Sequence, residues 1–263
     1  MKKFLMPGVF AAMSLISPMC GAADESKAKS DPAPAYGSVS EQDYLEGRFE
    51  PSVQKEFVQL GALGIEENNG PHYLRREAAE ALRTMLSDFH RAHPSIRVWV
   101  QSSTRNYESQ RSIWDAKWRG ERLVEGKNLK KTMKDPVERA REILKFSSMP
   151  GTSRHHWGTD FDINKLTNSY YEKGEGKVIF DWLTANASRY GFARPYTAGR
   201  SGGYEEEKWH WSYLPLSRKF LAGWMNVFGG RPDLLSEEGR FEGSSVAGAW
   251  ARSYVETINP ECR

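Results

Sequence analysis

SRHHWGTDFD (Ser153–Asp162) sets two adjacent histidines ahead of two aspartates, with Gly158 between the pairs. Phe161 and Ile163 make the end of this stretch a short strand, and Asp160 and Asp162 share one parity on it. His155 and Asp162 are seven residues apart and differ in parity, so they cannot share one regular strand face and the chain must turn between them. Gly158 supplies that turn. Downstream, EEEKWHWSYL (Glu205–Leu214) carries three consecutive glutamates and His210 into a second short strand. Three of the six histidines, His155, His156 and His210, therefore fall in two stretches that also hold acidic clusters. A catalytic zinc takes three ligands from His and Asp or Glu and leaves a fourth position for water, because a closed shell could not activate a nucleophile. The first stretch offers a histidine and an aspartate, the second a histidine and a free glutamate. Parity does not separate Asp160 from Asp162, and on an ideal strand Glu206, not Glu207, faces the same side as His210.

Helical and strand patterns alternate around these stretches. Leu74, Ala78, Ala81, Leu82, Met85 and Phe89 recur at three and four, which predicts a helix from Tyr73 that ends before Pro94. Ile96, Val98 and Val100 then alternate with Arg97, Trp99 and Gln101, a strand that delivers the chain into the polar turn SSTRN. Further helices are expected over 107–118, from Asp135 and Pro136 onward, over 176–190 and from Pro215. Pro51 opens a short amphipathic helix with Val53, Phe57, Val58 and Leu60, closed by Gly61. The basic stretch 119–134 reads as a surface loop, and GFARPY and KWHWSYL as short strands. Short strands at mixed intervals among helices predict an α+β fold, a small central antiparallel sheet carrying the site and flanked by helices.

The chain of 263 residues has room for one sizeable core. Its net charge of +3 comes from scattered Lys and Arg rather than a basic stripe, which argues against nucleic-acid binding. Lys2 and Lys3, an apolar run from Phe4 to about Met19 and the small residues Gly21, Ala22 and Ala23 read as a secretory signal peptide, 1–23. The run is shorter than the roughly 20 apolar residues of a spanning helix, and Pro7 and Pro18 interrupt it. Lipidation at Cys20 fits less well, because Pro18 and Met19 stand where small residues are expected. No later segment is apolar enough to span a bilayer. Residues 24–47, rich in Ser, Pro, Ala and charge, are expected to be a flexible linker, 48–229 the catalytic domain, and 230–263 a tail without a legible role. Once the leader leaves, Cys262 is the single thiol, so the fold must rest on its core.

Ser153, His155, Gly158 and Asp162 fit S-x-H-x-x-G-x-x-x-D, and Glu207 with His210 fits E-x-x-H. Together they resemble the zinc D-alanyl-D-alanine carboxypeptidases of the VanY and VanX kind, which share one fold with lysostaphin-like peptidases and Sonic hedgehog. SSTRNYESQ resembles the upstream arginine motif of those enzymes and points to Arg105 and Gln110. The resemblance covers about 97–213. It implies one zinc ion held by His155, Asp162 and His210, Glu207 as general base, and Arg105 on the oxyanion or on the substrate carboxylate. Ser153 and Gln110 would face the substrate. Asp160 stands where those enzymes usually carry alanine, and it could orient a ligand histidine through its outer nitrogen. The implied activity is removal of the terminal D-alanine from peptidoglycan stem peptides, D,D or L,D, by an exported, periplasmic or envelope enzyme. Its rivals are an endopeptidase of the same fold and a non-catalytic zinc-containing binding protein.

Overall fold

Four short strands pair antiparallel in the order β3 (Val100–Ser102), β4 (Asp160–Ile163), β6 (His210–Tyr213), β5 (Phe192–Ala193). The computed structural model describes residues 1–2 and 36–263; residues 3–23 of the expected leader and 24–35 of the expected linker lie outside the described residues. In β4 and β6 the register sets Asp160 against Ser212, Phe161 against Trp211 and Asp162 against His210. Alternation then gives the sheet two unlike faces. Phe161, Ile163 and Trp211 pack with Val100 and Phe192 against Leu82, Met85 and Phe89 of helix α2 (Arg76–Ala92). Asp160, Asp162, His210 and Ser212 face the other way, all of them buried. The sheet thus has an apolar side for stability and a polar side for chemistry, and the α+β expectation agrees with this arrangement.

The helix expected from Tyr73 begins at Arg76, after a strand at Tyr73–Arg75, and two further expectations need correction. The predicted helix from Pro51 to Leu60 is a single 3-10 turn, Pro51–Val53, followed by strand β1 (Phe57–Gln59), which pairs with β2 (Tyr73–Arg75). A Phe-Val pair fits a pleated, half-buried surface better than a helix. The expected linker is ordered in its last part: Glu41–Glu46 form helix α1, started by the Ser40 hydroxyl and ended by Gly47. Tyr44 donates to the Trp157 carbonyl at 2.9 Å and stacks between Phe49 and Phe220. One aromatic anchor, with Leu45 buried beside it, holds this polar segment.

The tail also belongs to the body. Leu235, Phe241, Ala247, Ala251, Val255, Ile258 and Cys262 are buried in one cluster with Trp114, Trp157 and Trp224. Glu46, 1% exposed, is paired with Arg240 of this tail at 2.8 Å and with Arg48 at 2.6 Å. The end of the expected linker and the tail without a legible role therefore close on each other, Arg48 and Arg240 lying over the Tyr107 ring.

Gly158 is the hinge between the histidine turn, Arg154–Trp157, and β4. Its φ is +72°, a left-handed conformation, and a Cβ there would run into the Phe57 ring. Only glycine meets both demands.

Phe241 lies edge-on to Trp114, centroids 5.5 Å apart, and is 4% exposed. Phe241→Ala should lower the unfolding free energy by about 3–5 kcal/mol. Denaturant midpoints will read this, and a loss under about 1 kcal/mol would mean that residues 230–263 are not part of the core.

Candidate active site

His155 reaches the polar face from the turn before β4, Asp162 from β4 and His210 from β6. One donor atom of each, offered by three buried residues, lies within 4.8 Å of the others. His155 Nδ1 is 2.7 Å from the Ser103 carbonyl, an atom that only accepts, so Nδ1 carries the proton and Nε2 presents a lone pair. That lone pair stands 3.4 Å from Asp162 Oδ2. His210 Nε2 donates to Asp160 Oδ2 at 2.9 Å, which leaves Nδ1 facing Asp162 Oδ1, also at 2.9 Å. These last two atoms are close but not aligned as donor and acceptor, and both lack a hydrogen-bond partner. A buried ring nitrogen and a carboxylate oxygen left without partners at this distance leave a place for a cation, whether a proton or a metal ion. Donors at 2.0–2.1 Å around a tetrahedral zinc would be about 3.3 Å apart; each histidine has one oxygen of Asp162 at a comparable distance, and the set of three spans no more than 4.8 Å. The residues fit such an ion.

The charges on these groups follow from the same arrangement. Burial, with the Arg105 charge, pushes His155 down to about 4, so it is neutral. Burial also opposes the charged form of His210, but its contacts with Asp160 and Asp162 raise it to about 9. Without a metal, a proton fills the place at Nδ1; a metal ion would displace it. Burial pushes Asp162 upward, yet the two histidines hold it well below the usual carboxylate range.

Asp160 has a clear occupation. Its carboxylate, 0% exposed, accepts from Arg154 Nε at 2.9 Å, His210 Nε2 at 2.9 Å, Ser212 Oγ at 2.8 Å and Thr159 Oγ1 at 2.6 Å. Against the cost of burial, the Arg154 charge and the His210 bond hold it well below its ordinary value. It faces the ring nitrogen opposite the metal side and so sets the tautomer and orientation of His210. Arg154, itself buried, is the counter-charge that keeps Asp160 ionised in the interior.

His156 is not near the donor set's open side. Its Nδ1 donates to the Arg105 carbonyl at 2.7 Å and its Nε2 accepts from the Gly151 N–H at 3.1 Å, which ties two loops together. Burial pushes it down to about 3, so it stays neutral. Ser153, expected to face substrate, is instead fully buried and outside the cavity lining; its hydroxyl accepts from the His155 N–H at 3.3 Å and starts the 3-10 turn. The correction has a local cause: a serine ahead of a turn satisfies the turn's free N–H.

Arg105, Gln110, His155, Asp162, Glu207 and His210 all line one cavity of about 560 Å³. Glu207 Oε2 is 3.5 Å from His210 Nδ1. Burial raises its carboxyl to about 8, with His210 opposing and Asp162 adding; a bound cation would lower it. Glu206 turns away and pairs with Arg194 at 3.1 Å. Residues 205–209 are not strand, and β6 begins only at His210, so strand parity does not apply to the glutamates. Arg105 Nε donates to Gln110 Oε1 at 2.9 Å, Nη1 donates to the Ser102 hydroxyl, and Nη1 stands 3.7 Å from Asp162. Gln110 in turn donates to the Ser148 carbonyl at 2.7 Å, so it holds the arginine rather than standing free. Sequence reasoning missed Arg154, Tyr196 and Lys117. Tyr196 lies 4.7 Å from the His210 ring and lines the cavity, but its residue type gives no signal in a chain rich in aromatics.

A family model for VanY, D-alanyl-D-alanine carboxypeptidase, matches residues 71–216, and the chain belongs to that family. The candidate carboxypeptidase YodJ of Bacillus subtilis (strain 168) is 28% identical over 186 residues, 67% of this chain and 58% of that protein. A D-alanyl-D-alanine carboxypeptidase of Enterococcus faecalis (strain ATCC 700802 / V583) is 30% identical over 119 residues, 44% of this chain and 40% of that one. The matched regions thus span about half the length of these relatives. Among solved structures, a zinc complex of a VanY D,D-pentapeptidase variant is 24% identical with a TM-score of 0.44, covering 60% of this chain and 83% of its own. The LD-carboxypeptidase LdcB is 23% identical with a TM-score of 0.46, covering 69% and 76%.

Asp160→Asn should weaken zinc binding roughly 10- to 100-fold in chelator competition, through His210 rather than through a lost ligand. His155→Ala should lose the metal altogether. Equal affinity in Asp160→Asn and the parent chain would remove Asp160 from the account.

Proposed function

We propose that this chain is an exported zinc carboxypeptidase that removes the terminal D-alanine from peptidoglycan stem peptides. The observation that carries it is the shared cavity: two histidine ring nitrogens and a carboxylate converge on one wall, and Glu207 stands 3.5 Å from one of those nitrogens. A site with a purely structural cation has no use for a second buried carboxyl beside an open position. His155, Asp162 and His210 would hold one zinc ion. When bound, the ion would polarise the scissile carbonyl and make water a better nucleophile at neutral pH.

The chain's own residues supply the remaining steps. Glu207 takes a proton from the attacking water and passes it to the leaving amine, a double role suited to a carboxyl whose burial has raised its proton affinity. Arg105, a fixed positive charge beside Asp162, stabilises negative charge as it develops on the carbonyl oxygen. Gln110 and Ser102 hold its guanidinium so that it need not reorganise during the reaction. Export is supported by the leader-like start of the sequence and by the location of the substrate outside the cytoplasmic membrane. Among the described residues no helix is long and apolar enough to cross a membrane.

Two measurements test this. Zinc-loaded protein incubated with defined penta- and tetrapeptide muropeptides should release D-alanine, weighed by mass spectrometry; release from neither, with zinc bound, sinks the reading. Glu207→Ala should retain zinc and lose at least about 100-fold in kcat, whereas Glu206→Ala should keep most of its turnover.

A further inference from the structure

Helix α3 (Tyr107–Trp118) presents Gln110, Ile113 and Lys117 to the cavity, the i, i+3, i+7 positions of one helical face. At 1.5 Å per residue the backbone of Lys117 lies about 10 Å further along the helix than that of Gln110, and its long side chain leans back toward the helix start, the end where Gln110 holds Arg105. Gln110 fixes Arg105 at the metal end, so the wall carries two cations and an aliphatic side chain.

Lys117 has no use in the chemistry above and no carboxylate partner among the described residues. Its ammonium donates to the Ser147 hydroxyl, which leaves two of its three donors for something else. Arg122 adds a third cation to the same cavity. The cavity's acids are otherwise engaged: Asp162 in the donor set, Glu207 beside it, and Glu125 with Lys145 at 3.3 Å. A partly buried cation without a counter-ion is costly unless an anion arrives to pair with it. Burial and then the Arg122 and Arg105 charges push Lys117 down to about 8, a cost that a bound carboxylate reverses.

We propose that Lys117, with the Ser147 hydroxyl beside it, receives the free terminal carboxylate of the peptide and leaves Arg105 to the scissile carbonyl. This rests on the carboxypeptidase reading and divides between two residues the duties that the sequence left together on Arg105. The carbonyl to be attacked belongs to the penultimate residue, and the C-terminal alanine beyond it carries a methyl group and a carboxylate on one carbon. Arg105 meets the carbonyl, and Ile113 and Lys117 on the adjoining helix face meet the methyl group and the carboxylate.

The test is a calorimetric titration of the zinc-loaded full chain carrying Glu207→Gln, which binds without turning over. The ligands are an N-acetylated stem peptide ending in free D-alanine and its C-terminal amide. The acid should bind roughly 10- to 100-fold tighter than the amide, as expected for a charge-assisted hydrogen bond. Adding Lys117→Met should reduce that ratio to within about threefold, and Lys117→Arg should restore most of it. Amide binding by the methionine variant serves as its folding control. An acid preference that survives Lys117→Met, or no preference in the parent, overturns the proposal. If the unmodified chain cleaves neither peptide while the Lys117-dependent preference stands, the hydrolase reading falls and the carboxylate site holds.

Discussion

Asp162 stands directly across from His210 in the β4–β6 pair, and both turn to the one face of the sheet that is not packed on α2. A slip of that pairing by one residue would turn His210 into the apolar layer and Trp211 out of it. The register is held from the apolar side by Phe161 and Trp211, which sit opposite each other, and from the polar side by Asp160, which bonds to both His210 and Ser212. Packing and chemistry thus enforce the same alignment. Moving either strand would expose aromatic surface and break a buried carboxylate's hydrogen bonds together.

The buried Arg154–Asp160 pair is expensive in isolation, since two charges leave water for the interior. Its value lies in what it holds. Asp160 accepts four hydrogen bonds, and one of them fixes His210 with Nδ1 toward Asp162. On the other side the Ser103 carbonyl does the same for His155, so each histidine is oriented from behind by an acceptor that leaves the facing nitrogen unprotonated or ready to lose its proton. The site is preorganised by groups that never touch a substrate.

The periphery serves the same end. Helix α1 lies on the histidine turn through Tyr44 and Trp157, and the segment after residue 229 covers the tryptophans of α3. The C-terminal stretch also reaches the loop before Glu207: Asn259 donates to the Arg194 carbonyl at 3.1 Å, and Arg200 links the Thr257 and Glu205 carbonyls. Residues far apart in the chain thereby steady the walls of one cavity.

Much of this was legible in the residues themselves. Alternation around Phe161 and Ile163, the glycine between the two pairs and the recurrence of histidine beside acid determined a turn-strand unit bearing donors of the kind that can hold a metal, because periodicity and donor type are local properties. The same local logic failed where partners are distant. Nothing near Glu41–Glu46 or Phe241 in the sequence announces that Glu46 and Arg240 will meet, since that contact spans 194 positions. Parity could not rank Glu206 against Glu207 because the segment is not strand, and it could not rank Asp160 against Asp162 because both share a face. Tertiary structure separated them by what lies opposite: Asp162 faces the ring nitrogens of two histidines, whereas Asp160 faces an arginine and the back of a histidine. The residue types were set in the sequence; their division of labour came only from which groups the fold brought within about 3 Å of each other.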